Sequence, residues 1–255
     1  MPSRRRFLMT GLGLAAAASV TCVTFRLGTH ATKTPPDPAE PSLTPYAPGP
    51  EQEPLRETTP ASLPARVTSS LVLIPRDQWG AAAPAVTPDG REEHGPYDAL
   101  TNPNGWQIYD RPLVEVLDKL ILHHSALPLT DGPLEIQHLH MEEKGFADIG
   151  YHVLIDGTGR LFEGRSLSVR GAHTYGANYG SVGICVLGNF EEIQPAPAQI
   201  AIVKLLLKSL PALYPGINRM AGHKDFNPDV TLCPGENFYS LLSGLAQEVS
   251  LHYGV

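Results

Sequence analysis

The chain has 255 residues, 42% hydrophobic and 18% charged, with 25 Pro, 24 Gly, 3 Cys and a formal net charge of −7. That length holds one good core or two small ones, and the apolar fraction excludes a wholly disordered chain. Three cysteines are too few for a disulfide framework, and an acidic balance argues against nucleic acid as the main partner.

Ser3-Arg4-Arg5-Arg6-Phe7-Leu8 opens the chain, and an uncharged stretch rich in Ala, Gly and Thr runs from Phe7 to Phe25. A basic start, a mildly apolar middle and small residues are the parts of an export signal. The arginine pair followed by Phe-Leu resembles a twin-arginine signal. Residues 1–28 are therefore expected to export the protein to the periplasm, the cell wall or the medium. Left uncleaved, this segment is the expected membrane contact, although its small residues are weakly apolar for a spanning helix. Cys22 follows Ser19-Val20-Thr21, a poor match to a lipobox. The segment holds Arg4, Arg5, Arg6 and Arg26 and no acids, so its removal takes the net charge to about −11. Residues 29–70 shift to Pro, Thr, Ala and Glu, too few large apolar groups to offset ordering entropy, and read as an extended spacer.

Folded sequence is expected from Leu71-Val72-Leu73-Ile74 to the C-terminus, residues 71–255, as one α/β domain with a central mixed β-sheet flanked by helices. Residues 84–111 are loop-rich. Val116 to His124 reads as a buried strand ending in two histidines. Asp131-Gly132-Pro133 starts a helix, with Asp131 as the expected cap and Pro133 in the first turn, running to about Glu143. Tyr151 to Ile155, a turn at Asp156-Gly157-Thr158-Gly159, and Arg160 to Glu163 make a hairpin pattern. Ser181 to Leu187 is another buried strand. Ala198 to Leu210 has helical spacing, and Glu236 to His252 suggests a last helix.

Strand alternation sends His123 and His124 to opposite faces. His223 lies in Ala221-Gly222-His223-Lys224-Asp225, and ten residues later Thr231-Leu232-Cys233-Pro234-Gly235 presents a thiol. Two imidazoles and a thiolate suit Zn2+ and leave a fourth position for water, but the long spacing matches no zinc finger. Three plainer readings stand beside this one. The histidine is a satisfied core residue and the cysteine merely buried; Cys233 is the nucleophile of a metal-free thiol hydrolase with His123 or His223 as base; or Cys185 and Cys233 form a disulfide. His138 and His140, two positions apart on a helix, cannot share one face.

A family resemblance runs through a series of short blocks in one order. These are Arg76-Asp77-Gln78-Trp79-Gly80-Ala81, Leu122-His123-His124-Ser125-Ala126, Ile136-Gln137-His138-Leu139-His140-Met141 and Asp148-Ile149-Gly150-Tyr151-His152. Glu163-Gly164-Arg165, Gly171-Ala172-His173-Thr174, Ser181-Val182-Gly183-Ile184, Leu187-Gly188-Asn189-Phe190, Gly222-His223-Lys224-Asp225-Phe226 and Thr231-Leu232-Cys233-Pro234-Gly235 follow. Over residues 71–245 the chain resembles the zinc amidases of the peptidoglycan recognition protein and phage-lysozyme type.

That resemblance implies a zinc-dependent N-acetylmuramoyl-L-alanine amidase acting on peptidoglycan or muropeptides. It implies His123, His223 and Cys233 as zinc ligands, and Tyr151 and Thr231 as catalytic groups. His124, His173, Thr174 and Tyr175 would meet the substrate; Arg165, like Arg170, is a candidate partner for peptide carboxylates on its charge alone, although lone arginines are usually surface residues. Thr231 stands where phage enzymes of the family carry lysine and animal amidases carry threonine. The alternative is a peptidoglycan-binding module that has lost catalysis; recognition members of that kind typically lose the cysteine, which is retained here. Gly145-Phe146 is half of each family pattern for diaminopimelate or lysine in the stem peptide.

Overall fold

The computed structural model describes residues 66–68, 71–86 and 95–255. The expected signal at 1–28, nearly all of the expected spacer, His30 and His94 lie outside the described residues. Among the described residues no helix is long and apolar enough to cross a membrane.

Two strands carry the molecule's centre. β3 (Lys119–His124) and β6 (Ser181–Val186) are buried almost throughout, and they pair in parallel with His123 opposite Cys185. Strands buried on both faces read as unbroken apolar runs, which is why Leu-Ile-Leu and Val-Gly-Ile-Cys-Val stand out in the sequence. Around them the order is β1 (Arg66–Thr68), β2 (Leu71–Ile74), β5 (Leu161–Glu163), β4 (Val153–Ile155), β6, β3, β7 (Arg219–Gly222) and β8 (His252–Tyr253). β1 with β2 and β4 with β5 are antiparallel, and the remaining pairs are parallel, so the sheet is mixed.

Alternation sorts the side chains into two layers. Leu120, Leu122, Val182, Ile184 and Val186 join α3 (Pro197–Leu213) and α5 (Glu236–Glu248) in the larger core. Leu154, Cys185 and Leu187 face the other way, with Trp79 and Ile136 of α2 (Pro133–His138). His123 shares the parity of Cys185 and so lies on this second face. Each large aliphatic side chain so buried contributes about 1.5–3 kcal/mol.

Several boundaries differ from expectation, each for a local reason. Pairing begins at Arg66, ahead of the expected start at Leu71, because Arg66–Thr68 folds back on β2. Val116 closes a short helix, α1 (Leu113–Val116), instead of opening β3. The α2 cap is Gly132, not Asp131: the Glu135 carboxylate accepts the Gly132 N–H at 2.8 Å, while Pro133 holds the first position as expected. The helix then continues as a π-helical stretch, Leu139–Glu143. At the C-terminus α5 stops at Glu248, and Ser250 at φ 59° turns the chain so that His252–Tyr253 adds a strand beside β7. The short helix α4 (His223–Phe226) follows β7 directly.

Candidate metal centre and groove

Strand register brings two distant histidines together. β3 and β7 run parallel with Leu122 opposite Gly222, so the next residues, His123 and His223, leave adjacent strand ends side by side. Their ring centroids are 4.8 Å apart. The C-terminal ends of parallel strands are the usual place for a site in an open α/β sheet. Asp225 fixes where His223 starts its turn: its carboxylate accepts the Gly222 N–H at 2.7 Å and the hydroxyls of Tyr239 and Tyr253.

Cys233 arrives on the loop between α4 and α5. Its N–H donates to the Thr231 hydroxyl at 3.1 Å, and its carbonyl accepts from Lys224 N–H at 2.8 Å, which pins the turn. The Cys233 Sγ lies 3.5 Å from His123 Nδ1. One ligand atom each from His123, His223 and Cys233 falls within 4.8 Å of the others. For zinc bonds of about 2.0–2.1 Å to nitrogen and 2.3 Å to sulfur, tetrahedral geometry implies an N···S spacing of about 3.5 Å. The donor set fits such an ion.

Without a metal the two imidazoles and the thiol are all neutral, and the thiol would give up its proton on binding one. Burial, with His223 close by, holds His123 neutral well below the usual histidine range, and burial also lowers His223. Neutral imidazoles are what a metal needs. Burial pushes the Cys233 thiol up to about 12. A thiol that keeps its proton is a poor nucleophile, and a histidine so depressed is a poor base, so the metal-free thiol hydrolase is disfavoured. Cys185 and Cys233 are both free thiols.

His223 and Cys233 line a cavity of about 850 Å³, together with His124, His140, Phe146, Tyr151, Tyr175 and Thr231 among others. Tyr151 lies beside His123, ring centroids 5.0 Å apart, and burial raises its phenol well above 10, so it stays a proton donor. The segment before it is anchored by Asp148, which accepts from Arg76 at 3.0 Å, Gln137 at 2.7 Å and its neighbour Ile149 N–H at 2.7 Å. Tyr175, 81% exposed, stands at the rim. His124 closes the strand end, its Nδ1 accepting the Phe190 N–H at 3.1 Å.

One expected substrate contact lies away from the groove, and two border it. Arg165 is 1% exposed and not in the groove. Its guanidinium donates to the carbonyls of Ile149 at 2.8 Å, Arg170 at 2.9 Å and Asp148 at 3.1 Å, because the chain from 148 to 170 wraps around it. Trp106 covers its face at 4.9 Å. His173 and Thr174 border the cavity, but their side chains turn toward His123: His173 Nδ1 is 3.0 Å and Thr174 Oγ1 3.4 Å from His123 Nε2.

His140, to which the sequence assigns no role, also lines the groove, with Nδ1 accepting the Gly150 N–H at 2.8 Å. Its position four residues after the buried Ile136 is the signal that places it on the inner face, while His138 is exposed. His152 is structural: it accepts from Gly183 N–H at 2.9 Å and donates to Val169 carbonyl at 3.1 Å.

Comparison with known proteins gives a consistent setting. Residues 114–236 match the family model described as N-acetylmuramoyl-L-alanine amidase. Peptidoglycan-recognition protein SD of Drosophila melanogaster is 31% identical over 179 residues, 69% of this chain and 87% of that protein. The crystal structure of Drosophila PGRP-SD aligns at 28% identity over 68% of this chain and 94% of that one, with a TM-score of 0.53. A mutant of Drosophila PGRP-LB in complex with tracheal cytotoxin aligns at 25% identity over 67% of this chain and 92% of that one, with a TM-score of 0.52.

Proposed function

The chain belongs to the family of peptidoglycan recognition proteins and type 2 N-acetylmuramoyl-L-alanine amidases, and from that premise we propose that it is an exported, zinc-dependent amidase. Its substrate is peptidoglycan or a muropeptide, cut at the amide between N-acetylmuramic acid and L-alanine. The observation that carries this reading is the meeting of His123, His223 and Cys233, the last two of which line the groove.

His123, through Nδ1, His223 and Cys233 would hold the ion. Zinc, when bound, supplies Lewis acidity toward the scissile carbonyl and acidifies water to a near-neutral pKa. The chain's own groups orient and exclude. The neutral Tyr151 phenol donates a hydrogen bond to the carbonyl oxygen as negative charge develops there. His124 and His140 each accept a backbone N–H at Nδ1 and are held neutral by burial, at about 4 and about 3. Each therefore keeps a proton on Nε2 to offer to the ligand's carbonyl and carboxylate oxygens. Thr231 acts first through Cys233, whose N–H it accepts, and its own hydroxyl proton remains for the groove. Tyr175 supplies an aromatic edge at the rim for the glycan or peptide. Export through residues 1–28 places the groove where the polymer is.

The test is cleavage of a purified muropeptide, followed by mass spectrometry, for the full chain and Cys233→Ser. Separation of sugar from peptide by the parent chain alone supports the amidase. Tight binding without cleavage by either protein would make this a recognition module and overturn the reading.

A further inference from the structure

The groove's buried imidazoles reveal where their protons sit. A backbone N–H only donates, so a ring nitrogen that receives one is bare, and the neutral ring carries its proton on the other nitrogen. This fixes His124, His140 and His152 as Nε2-protonated, from Phe190, Gly150 and Gly183 respectively.

His173 can be read in the same way, one bond further out. The Ser181 hydroxyl lies 2.9 Å from the Asn178 carbonyl, which only accepts, so the hydroxyl proton is committed there. Ser181 Oγ then presents lone pairs to His173 Nε2 at 3.3 Å, and that nitrogen must supply the proton. Neutral His173 is left bare at Nδ1, 3.0 Å from His123 Nε2. Two bare nitrogens cannot bond, so His123 carries its proton on Nε2. Thr174 Oγ1, 3.0 Å from His173 Nδ1 and 3.4 Å from His123 Nε2, gives its hydroxyl proton to the bare His173 nitrogen and a lone pair to the His123 N–H. The His123 lone pair is thereby left on Nδ1, the atom that faces Cys233 Sγ at 3.5 Å.

The His173 ring is held so that it cannot turn away. An added Cβ at Gly171 or at Gly183 would come within 2.5 Å of its Cδ2, so only glycine leaves it room on those two sides. Ser181, Gly183 and Cys185 alternate on one face of β6, and the ring lies over the gap at Gly183. The Asn178 side-chain oxygen accepts the N–H of His173 at 2.9 Å and of Thr174 at 2.8 Å, which clamps the loop.

We propose that His173 is a positioning residue for the metal centre: the relay from Asn178 carbonyl through Ser181 and His173 holds His123 in the tautomer that presents Nδ1 to the ion. This rests on the proposed metal centre, not on turnover. Partners that fix a ligating histidine in this way are worth about 10–100-fold in metal affinity.

Two measurements on the full chain test it. Long-range proton–nitrogen NMR of the metal-free protein should show His123 and His173 as Nε2–H tautomers; His123 protonated on Nδ1 would overturn the proposal. Zinc affinity is then measured by competition with a chromophoric chelator for the parent, His173→Leu, His173→Asn and Ser181→Ala. His173→Leu removes the acceptor and should weaken binding about 10–100-fold, whereas Asn places an oxygen near the lost Nδ1 and should recover most of it. Equal affinity in all, or equal loss for Leu and Asn, would overturn the relay. Should His173→Leu fail to fold, Ser181→Ala carries the test, with a mixed His173 tautomer population and an affinity several-fold below the parent. Parent-like tautomers and affinity in Ser181→Ala would refute the relay. A parent chain that binds no zinc while keeping these tautomers would instead sink the metal centre.

Discussion

Arg165→Met separates a structural arginine from one that reads substrate. The native side chain is 1% exposed and donates three hydrogen bonds to main-chain carbonyls, at 2.8, 2.9 and 3.1 Å. Methionine fills a similar stem volume and supplies no donor, so those three bonds are lost together. Hydrogen bonds from a charged group contribute about 1.5–3 kcal/mol each, so the low end already gives a loss of about 4–5 kcal/mol. The contact of its guanidinium with Trp106 adds about 0.5–2 kcal/mol. For a domain of this size 1 kcal/mol moves the midpoint by about 2–4 °C, so calorimetry should show Tm falling by about 10–15 °C. Muropeptide affinity, measured well below the new midpoint, should stay near the parent value. An unchanged Tm with weakened muropeptide binding would refute the assignment and return Arg165 to the groove.

Two further outcomes follow from the same geometry. Tyr151→Phe should leave zinc content and muropeptide binding intact while lowering kcat by about 10²–10³, the loss expected of one donor to a developing oxyanion; unchanged kcat in a steady-state assay would remove Tyr151 from the chemistry. Stability should fall with acid: His140 and His152 are held by burial at about 3 and about 4 when folded and return toward 6.5 when unfolded. The unfolded chain therefore binds more protons below pH 6.5, and urea unfolding at pH 5 should give roughly 4 kcal/mol less stability than at pH 7 from these two groups. A flat profile between those values would contradict the buried neutral state.

The parts of the fold legible in the sequence are those where local pattern and tertiary role coincide. β3 and β6 announce themselves as apolar runs because both faces are covered, and α3 because Val203, Leu206, Leu207 and Leu210 repeat at helical spacing. β8 is not legible: His252–Tyr253 is two residues long, and it is a strand only because the Asn218 and Met220 carbonyls accept the His252 and Gly254 N–H groups, each at 3.0 Å. Asp131 and Glu135 are equally good acceptors on paper, and only the approach of the chain to Gly132 selects Glu135. In the site, residue chemistry nominated His123, His223 and Cys233, but their meeting depends on β3 lying between β6 and β7, an order no single segment encodes. His173 and Arg165 show the limit most clearly. Both look like polar loop residues, and their directions are set by carbonyls and glycines scattered from Asp148 to Gly183.

The proposed amidase stands or falls on whether His123, His223 and Cys233 form one metal site that drives amide cleavage. The most direct test strips the full chain with a chelator and titrates zinc back, recording bound metal by elemental analysis and muropeptide cleavage on the same samples. Cleavage should be lost in the stripped protein and return in proportion to occupancy, levelling at about one zinc per chain, with no return in Cys233→Ser. Cleavage that persists without metal, or full zinc occupancy without cleavage, would contradict it.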